Sequence, residues 1–152
     1  LTMTGMHHSL LPVDIQLIAA GGSFLFAIAA CNNVAQGGAA LAIALKTKDT
    51  NKKALASSAG ITAICGITEP ALYGVTLQNK AAFIGSIVAG GVGGFFLGIL
   101  GARNFAGGSP GILTIAAYIG EDTLKYFYTA IAGLVISVVV SFIVTFILYK
   151  ED

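Results

Sequence analysis

The sequence predicts an all-α integral membrane protein, a polytopic arrangement of membrane helices with re-entrant hairpin segments. Of its 152 residues, 56% are hydrophobic and only 10% are charged, which is unusually apolar for a water-soluble domain. Residues 81–102 and 127–149 carry no charge, and each run exceeds the roughly 20 residues that a helix needs to cross a bilayer. Both runs are therefore predicted to be transmembrane helices.

The first third of the chain mixes polar residues into apolar segments. Residues 10–31 are long enough to span a membrane, although Asp14 lies near their start. Residues 32–45 open with three amides and are too short to cross as a regular helix, which favours a broken or re-entrant element. The hydrophilic run at residues 46–53 predicts an aqueous loop.

Residues 54–79 predict a re-entrant hairpin, because three glycines and Pro70 interrupt a moderately apolar segment. The tip is expected near Thr68, Glu69 and Pro70. Proline disfavours the helical region for the residue before it and suits the first position of a helix. Glu69 is therefore expected to be extended, with a helix that starts at Pro70 and is capped by Thr68 or Glu69.

The basic residues predict the orientation of the helices. If residues 127–149 end in the cytoplasm, residues 81–102 begin there, and the hairpin at residues 54–79 returns to the same side. Six lysines then lie inside, while Arg103 and Lys125 lie outside, in agreement with the positive-inside rule. The inside set is Lys46, Lys48, Lys52, Lys53, Lys80 and Lys150.

Composition and spacing exclude several functional classes. A net charge of +1 without a basic stripe argues against nucleic-acid binding. The glycines at residues 90–94 follow no strand and precede no lysine-serine pair, so close helix packing is predicted there instead of a phosphate loop. Cys31 and Cys65 lack metal or redox spacing and are expected to pack as small residues.

Glu69 is the principal functional candidate, because an ionisable residue inside a membrane segment is costly and marks a functional site by default. A structural alternative is that its carboxylate anchors the hairpin by accepting hydrogen bonds from freed backbone N–H groups. Three functional uses are open: cation binding, proton relay, and acceptance of hydrogen bonds from sugar hydroxyls. A single carboxylate among amides favours the third use, since it accepts from two neighbouring hydroxyls while amides complete the polar ring.

The histidine pair, His7 and His8, is a second candidate. Asp14 follows at a spacing that matches no regular metal-ligand pattern, so no metal site is predicted. The structural alternative is a pair of residues satisfied at the membrane interface. A functional histidine here is expected to hydrogen-bond a substrate or to move a proton from a hydroxyl.

Four motifs, in order along nearly the whole chain, resemble those of the EIIC sugar permeases of the bacterial phosphotransferase system, in the glucose superfamily. They are TGMHHSLLPVDIQLI (residues 4–18), NNVAQGGAALAI (32–43), GITEPALYGVTL (66–77) and GGSPGILTI (107–115). The histidine-pair and PGILT stretches look most similar to the branch that takes sucrose, trehalose and related α-glucosides. The resemblance implies a partial EIIC transport domain, with residues 1–152 forming its C-terminal portion.

In this scheme residues 1–53 hold a motif segment and the cytoplasmic loop, residues 54–79 the hairpin, and residues 80–152 the final membrane helices. The resemblance implies that Glu69 is catalytic, contacts the sugar near the hydroxyl that is phosphorylated, and orients that hydroxyl or takes its proton. His7 or His8 is expected to bind the sugar, with His8 preferred and assigned to catalysis as well. The remaining expected sugar-site residues are Asn32, Asn33, Gln36 and Thr68.

The resemblance also implies a setting. The protein is expected to be a multi-pass component of the bacterial inner membrane that needs no cofactor and dimerises through N-terminal helices not included here. A phosphorylated EIIB domain, supplied through EIIA and HPr, is expected to phosphorylate the sugar, and this chain, without the EIIB cysteine motif, is not expected to be catalytic alone. The alternatives are an ion-coupled secondary transporter, with Glu69 as its proton or cation site, and a non-transporting membrane scaffold.

Overall fold

The structure is a computed structural model that describes residues 6–108, 110–119 and 124–150, apart from the side chain of His7. The part it describes is predominantly helical and contains no β-strand, so the all-α prediction is confirmed. A 3₁₀ turn covers Met6–Leu10, a π-helix covers Leu72–Thr76, and a second 3₁₀ segment covers Ile112–Tyr118. The α-helices of this part are α1 (Leu11–Ala19), α2 (Phe24–Lys46), α3 (Thr50–Ile64), α4 (Glu69–Ala71), α5 (Lys80–Ile99) and α6 (Lys125–Leu148).

Three of these helices, α2, α5 and α6, are long and apolar enough to cross a membrane. They contain 23, 20 and 24 residues, which correspond to about 30–36 Å at the rise of an α-helix. The helices predicted at residues 81–102 and 127–149 are α5 and α6, and both are confirmed. Large apolar side chains point outward, as Phe95 and Ile147 do at 72% and 68% exposure, which suits a lipid environment.

The predicted boundaries of the first membrane segment are wrong. Residues 10–31 do not form one helix, because α1 ends at Ala19 and the chain turns at Gly21 and Gly22, both with φ of +116°. A new helix starts after Ser23, whose Oγ accepts a hydrogen bond from the Phe26 N–H at 3.4 Å. This helix, α2, is the third candidate span, and the supposedly broken element at residues 32–45 is its continuous second half.

The predicted aqueous loop at residues 46–53 is too long. Only residues 47–49 separate α2 from α3. Asp49 caps α3 by accepting hydrogen bonds from the backbone N–H groups of Asn51 and Lys52, at 2.8 and 3.4 Å. A capped start lets a polar sequence remain helical, so half of the hydrophilic run belongs to α3.

The hairpin segment has two helical arms, α3 and the unit formed by α4 and the π-helix, joined by a turn at residues 65–68. Gly66 adopts a φ of +107° in this turn. The predicted extended conformation of Glu69 is wrong, since Glu69 is the first residue of α4. The predicted side-chain cap is also absent, because the Thr68 backbone is in the helical region, at φ −96° and ψ −13°, and a backbone bond from the Leu72 N–H to the Thr68 carbonyl closes the turn.

Helices α2, α5 and α6 each contact the other two and form a bundle packed through small side chains. A Cβ atom at Gly38 would lie 2.6 Å from the carbonyl oxygen of Val138, so α2 and α6 approach at backbone distance. Within the glycine run of α5, the packing prediction is confirmed for Gly90, Gly93 and Gly94, each of which lies against α2 or α6. It is wrong for Gly91, since no described atom lies within 4 Å of its Cβ position.

Lysines at the ends of α2 and α5, and just after α6, lie at the same end of the bundle. Lys46, at the end of α2, donates to the Phe146 carbonyl at 2.6 Å, and its Nζ lies 4.9 Å from the centre of that residue's ring. Tyr149, just after α6, packs in the same cluster as residues from the start of α5. Lys80 and Lys150 therefore lie near this end as well, and the predicted topology keeps all three lysines on one side.

Candidate functional site

A cavity of about 330 Å³ lies between α1, the first half of α2, the hairpin tip and the segment after α5. This volume is in the range of small-molecule sites. Its walls combine apolar side chains, such as Leu25 and Phe26, with a small polar set. The polar side chains that line it are those of His8, Asp14, Asn32, Asn33, Thr68 and Glu69.

Most of the residues predicted for the site meet at this cavity. Glu69, His8, Asn32, Asn33 and Thr68 are among its lining residues, although they come from three separate elements of the chain. The assignment of these residues to sugar binding or catalysis stays a prediction.

Two predicted residues are not part of this lining as the structure describes it. Gln36 is one turn further along α2 than Asn32, is buried, and has a side-chain oxygen with no partner among the described residues. His7 has a side chain that lies outside the described part of the structure. No group of three His, Cys, Asp or Glu side chains within the described residues is arranged to hold a metal ion.

Glu69 lies at the hairpin tip with an exposed side chain. No described residue gives its carboxylate a hydrogen bond or an ion pair. The anchor role that the sequence left open would require such bonds to backbone N–H groups, and they are not present among these residues. The carboxylate thus keeps its full capacity to accept hydrogen bonds from a ligand.

The neighbouring amides on α2 have different surroundings. Asn33 donates from Nδ2 to the Pro110 carbonyl at 2.8 Å, which ties α2 to the segment after α5. That segment also touches the hairpin, because a Cβ atom at Gly111 would lie 2.6 Å from the Gly66 nitrogen. The Asn32 side chain makes no hydrogen bond to any described residue and faces the cavity. Asn33 therefore positions the walls, while Asn32 is available to a ligand.

Asp14 also lines the cavity, although its spacing from the histidine pair predicted no metal site and no other role was expected for it. It is the one buried residue of α1, at 5% exposure. Ser23 Oγ donates a hydrogen bond to its Oδ1. An available signal was the position of a carboxylate within a largely apolar segment, which is the same criterion that selected Glu69.

Tyr118 is fully buried in a cluster with Ala27, Ala30 and Cys31 of α2, and its hydroxyl has no partner among the described residues. Burial raises the pKa of Tyr118, with smaller contributions from Cys31 and Asp14. The phenol therefore stays neutral at physiological pH and adds no charge to the site.

Comparison with known proteins identifies the family. The model of the family "Phosphotransferase system, EIIC" matches residues 1–90, which include Glu69 and the other predicted site residues. The chain is 39% identical to the sucrose-specific EIIBC component of the phosphotransferase system (PTS) of Vibrio alginolyticus, over 99% of this chain and 31% of that protein.

Two Bacillus subtilis proteins are also similar. The PTS trehalose-specific EIIBC component is 40% identical over 96% of this chain and 31% of its own length. The PTS beta-glucoside-specific EIIBCA component is 36% identical over 99% of this chain and 24% of its own length. No solved structure matches the chain.

The chain thus spans about a third or less of the length of these curated relatives. The family match covers 90 of its 152 residues. The three relatives are all components of phosphotransferase systems. On these grounds the chain belongs to the EIIC family of the phosphotransferase system.

Proposed function

We propose that this chain is the C-terminal part of a sugar permease that binds a neutral glucoside, such as sucrose or trehalose, in the 330 Å³ cavity. The observation that carries the proposal is the convergence of Glu69, His8, Asn32 and Thr68 on that one cavity. The names of the relatives supply the substrate class. No lysine or arginine is among the described lining residues, and carboxylates with amides suit a polyhydroxyl ligand better than an anion.

Glu69 has the chemical role of proton acceptor in this proposal. The sugar hydroxyl oxygen attacks the phosphorus of a phosphocysteine on an EIIB domain, the oxygen–phosphorus bond forms, and the sulfur–phosphorus bond breaks with release of the thiolate. Glu69 orients the hydroxyl and takes its proton, for which a carboxylate without a partner among the described residues is suited. His8, on the same cavity, hydrogen-bonds the sugar.

The same proposal includes the membrane location of the chain and its partner proteins. Residues 54–79 act as a re-entrant hairpin in the inner membrane of a bacterium, and the phosphoryl group reaches EIIB through EIIA and HPr. The remaining helices of the permease, which precede this chain, provide the dimer contact. The three apolar spans and the family membership support a membrane location.

The ion-coupled alternative receives no support from the comparisons, because the relatives reported above are phosphotransferase-system components. The two mechanisms still predict opposite behaviour. Uptake by the proposed permease depends on phosphoenolpyruvate and survives collapse of the ion gradient, whereas uptake by an ion-coupled carrier follows the gradient.

The test is phosphoenolpyruvate-dependent uptake and phosphorylation of labelled sucrose, trehalose and maltose by the full-length permease in membrane vesicles. Replacement of Glu69 by glutamine is expected to lower kcat/KM by about 10²–10⁴-fold, the usual contribution of a general base. The matched control is Asp49→Asn, which leaves a good helix cap at the start of α3, outside the cavity lining. Normal phosphorylation by Glu69→Gln, with normal membrane content, would refute the role of Glu69.

A further inference from the structure

Asp14 combines burial with incomplete hydrogen bonding. Within the described part of the chain, Ser23 Oγ is the one hydrogen-bond partner of its carboxylate, and no lysine or arginine lines the cavity beside it. A buried carboxylate is costly unless donors surround it, and its two oxygens accept about four hydrogen bonds. The described residues leave most of that capacity unused, and the cavity is the space from which further donors can approach.

Ser23, the partner of Asp14 among the described residues, is itself held firmly in place. Ser23 is fully buried, begins α2 as its N-cap, and pairs in antiparallel fashion with Asn104. The Ser23 N–H donates to the Asn104 carbonyl at 2.7 Å, and the Asn104 N–H donates to the Ser23 carbonyl at 2.9 Å. The chain after α5 thereby holds the serine that holds Asp14. An acceptor fixed in this way binds a ligand with little further loss of side-chain entropy.

Asp14 and Glu69 reach the cavity from different elements, α1 and the hairpin tip. We propose that Asp14 is a second sugar-binding carboxylate, which accepts hydrogen bonds from hydroxyls other than the one held by Glu69 and so selects among disaccharides. This assignment rests on the proposed function. Ser23 is then a positioning residue that occupies one oxygen of Asp14 and directs the other at the sugar.

The experiment measures equilibrium binding of labelled sucrose and trehalose to the full-length permease in membrane vesicles. Asp14→Asn keeps the size of the side chain and removes its charge. Hydrogen bonds to charged groups are strong, so the Kd of the Asp14→Asn variant for the sugar is expected to rise about ten- to hundredfold. Asp49→Asn, the same chemical change at the cap of α3, is expected to leave Kd within twofold.

Deoxy analogues of the two sugars distinguish direct contact from a structural role. In the unmodified permease, removal of the hydroxyls held by Asp14 should weaken binding, and in Asp14→Asn the same analogues should bind almost as well as the parent sugar. Ser23→Ala retains the Asp14 carboxylate but removes the hydrogen bond that fixes its position. In this variant the deoxy analogues should raise Kd severalfold less than they do in the unmodified permease. This variant also serves if Asp14→Asn does not accumulate in the membrane.

An unchanged Kd and an unchanged analogue profile in these variants would overturn the assignment of Asp14. Equal weakening of every analogue would overturn it as well, because that pattern indicates a structural role. Either result counts against Asp14 only if the unmodified permease phosphorylates at least one of the sugars. If the unmodified permease phosphorylates none of them, the proposed function itself fails, and the two failures are therefore separable.

Discussion

Two serines on the inner face of α6 and the residues that line the cavity use their polar side chains in opposite ways. On α6, Ser137 and Ser141 are fully buried, and their hydroxyls donate to the carbonyls of Gly133 and Ala35 at 2.9 and 2.6 Å. At the cavity, the side chains of Asn32 and Glu69 make no hydrogen bond to any described residue. A hydroxyl with an internal partner, such as that of Ser141, which joins α6 to α2, stabilises the bundle, whereas polar groups with unused capacity at a cavity are suited to a ligand.

Among the contrasts between these two regions, the largest effect on stability is expected where α5 packs against α6. Gly93→Leu inserts a side chain where a Cβ alone would clash with Ser137, so overpacking is expected to destabilise the bundle by about 2 kcal/mol or more. Gly91→Leu is the matched control on the same helix, because no atom of the described residues lies within 4 Å of its Cβ position. Thermal unfolding of the purified permease in detergent measures both. Equal stability of the two variants would contradict the packing described for α5.

A smaller effect is expected on the binding of phosphorylated sugar, because the cavity carries two carboxylates. Sucrose or trehalose phosphorylated at a 6-hydroxyl is expected to bind about tenfold or more weakly than the parent sugar, because Asp14 and Glu69 repel the phosphate and no described lining residue is lysine or arginine. Competition against labelled sugar at low and high salt measures this difference. The difference should shrink as salt screens the charges. A product that binds as tightly as the sugar at both salt concentrations would contradict the electrostatic argument.

The two neighbouring amides on α2 give a sharper comparison. Asn32→Ala is expected to raise the Kd for sugar about tenfold without a change in unfolding temperature, since its amide bonds to no described residue. Asn33→Ala is expected to lower the free energy of unfolding by about 1 kcal/mol, because it loses the hydrogen bond to the Pro110 carbonyl. Sugar titration and thermal unfolding of both variants are the measurements. If Asn32→Ala lost stability and Asn33→Ala lost sugar affinity, the roles assigned to the two amides would be wrong.

The smallest expected effect is that of Ser141→Ala. Loss of its hydrogen bond to the Ala35 carbonyl should lower the free energy of unfolding by about 0.6 kcal/mol, the average for polar contacts between membrane helices. Sugar affinity should stay the same because Ser141 is not among the residues that line the cavity. A clear loss of affinity without loss of stability would show that the distinction between the two regions is wrong.

Local composition was sufficient for part of the fold. It predicted α5 and α6 to within a few residues, because length and hydrophobicity are properties of a continuous stretch of chain. It misplaced the first span, since the helix boundary there is set by the turn at Gly21 and Gly22 and by the Ser23 cap. The amides at residues 32–36 did not break α2, because their side chains leave its backbone hydrogen bonds intact.

Residue type likewise identified Glu69, His8, Asn32 and Thr68 as site candidates, and the fold brings all four to one cavity. Sequence could not separate Asn32 from Asn33 or assign Asp14 to the same cavity. Those distinctions depend on contacts between residues far apart in the chain: Asn33 with Pro110, and Asp14 with a serine that Asn104 holds in place. A side chain's chemistry is encoded locally, but whether its hydrogen bonds are already used depends on which distant backbone packs beside it.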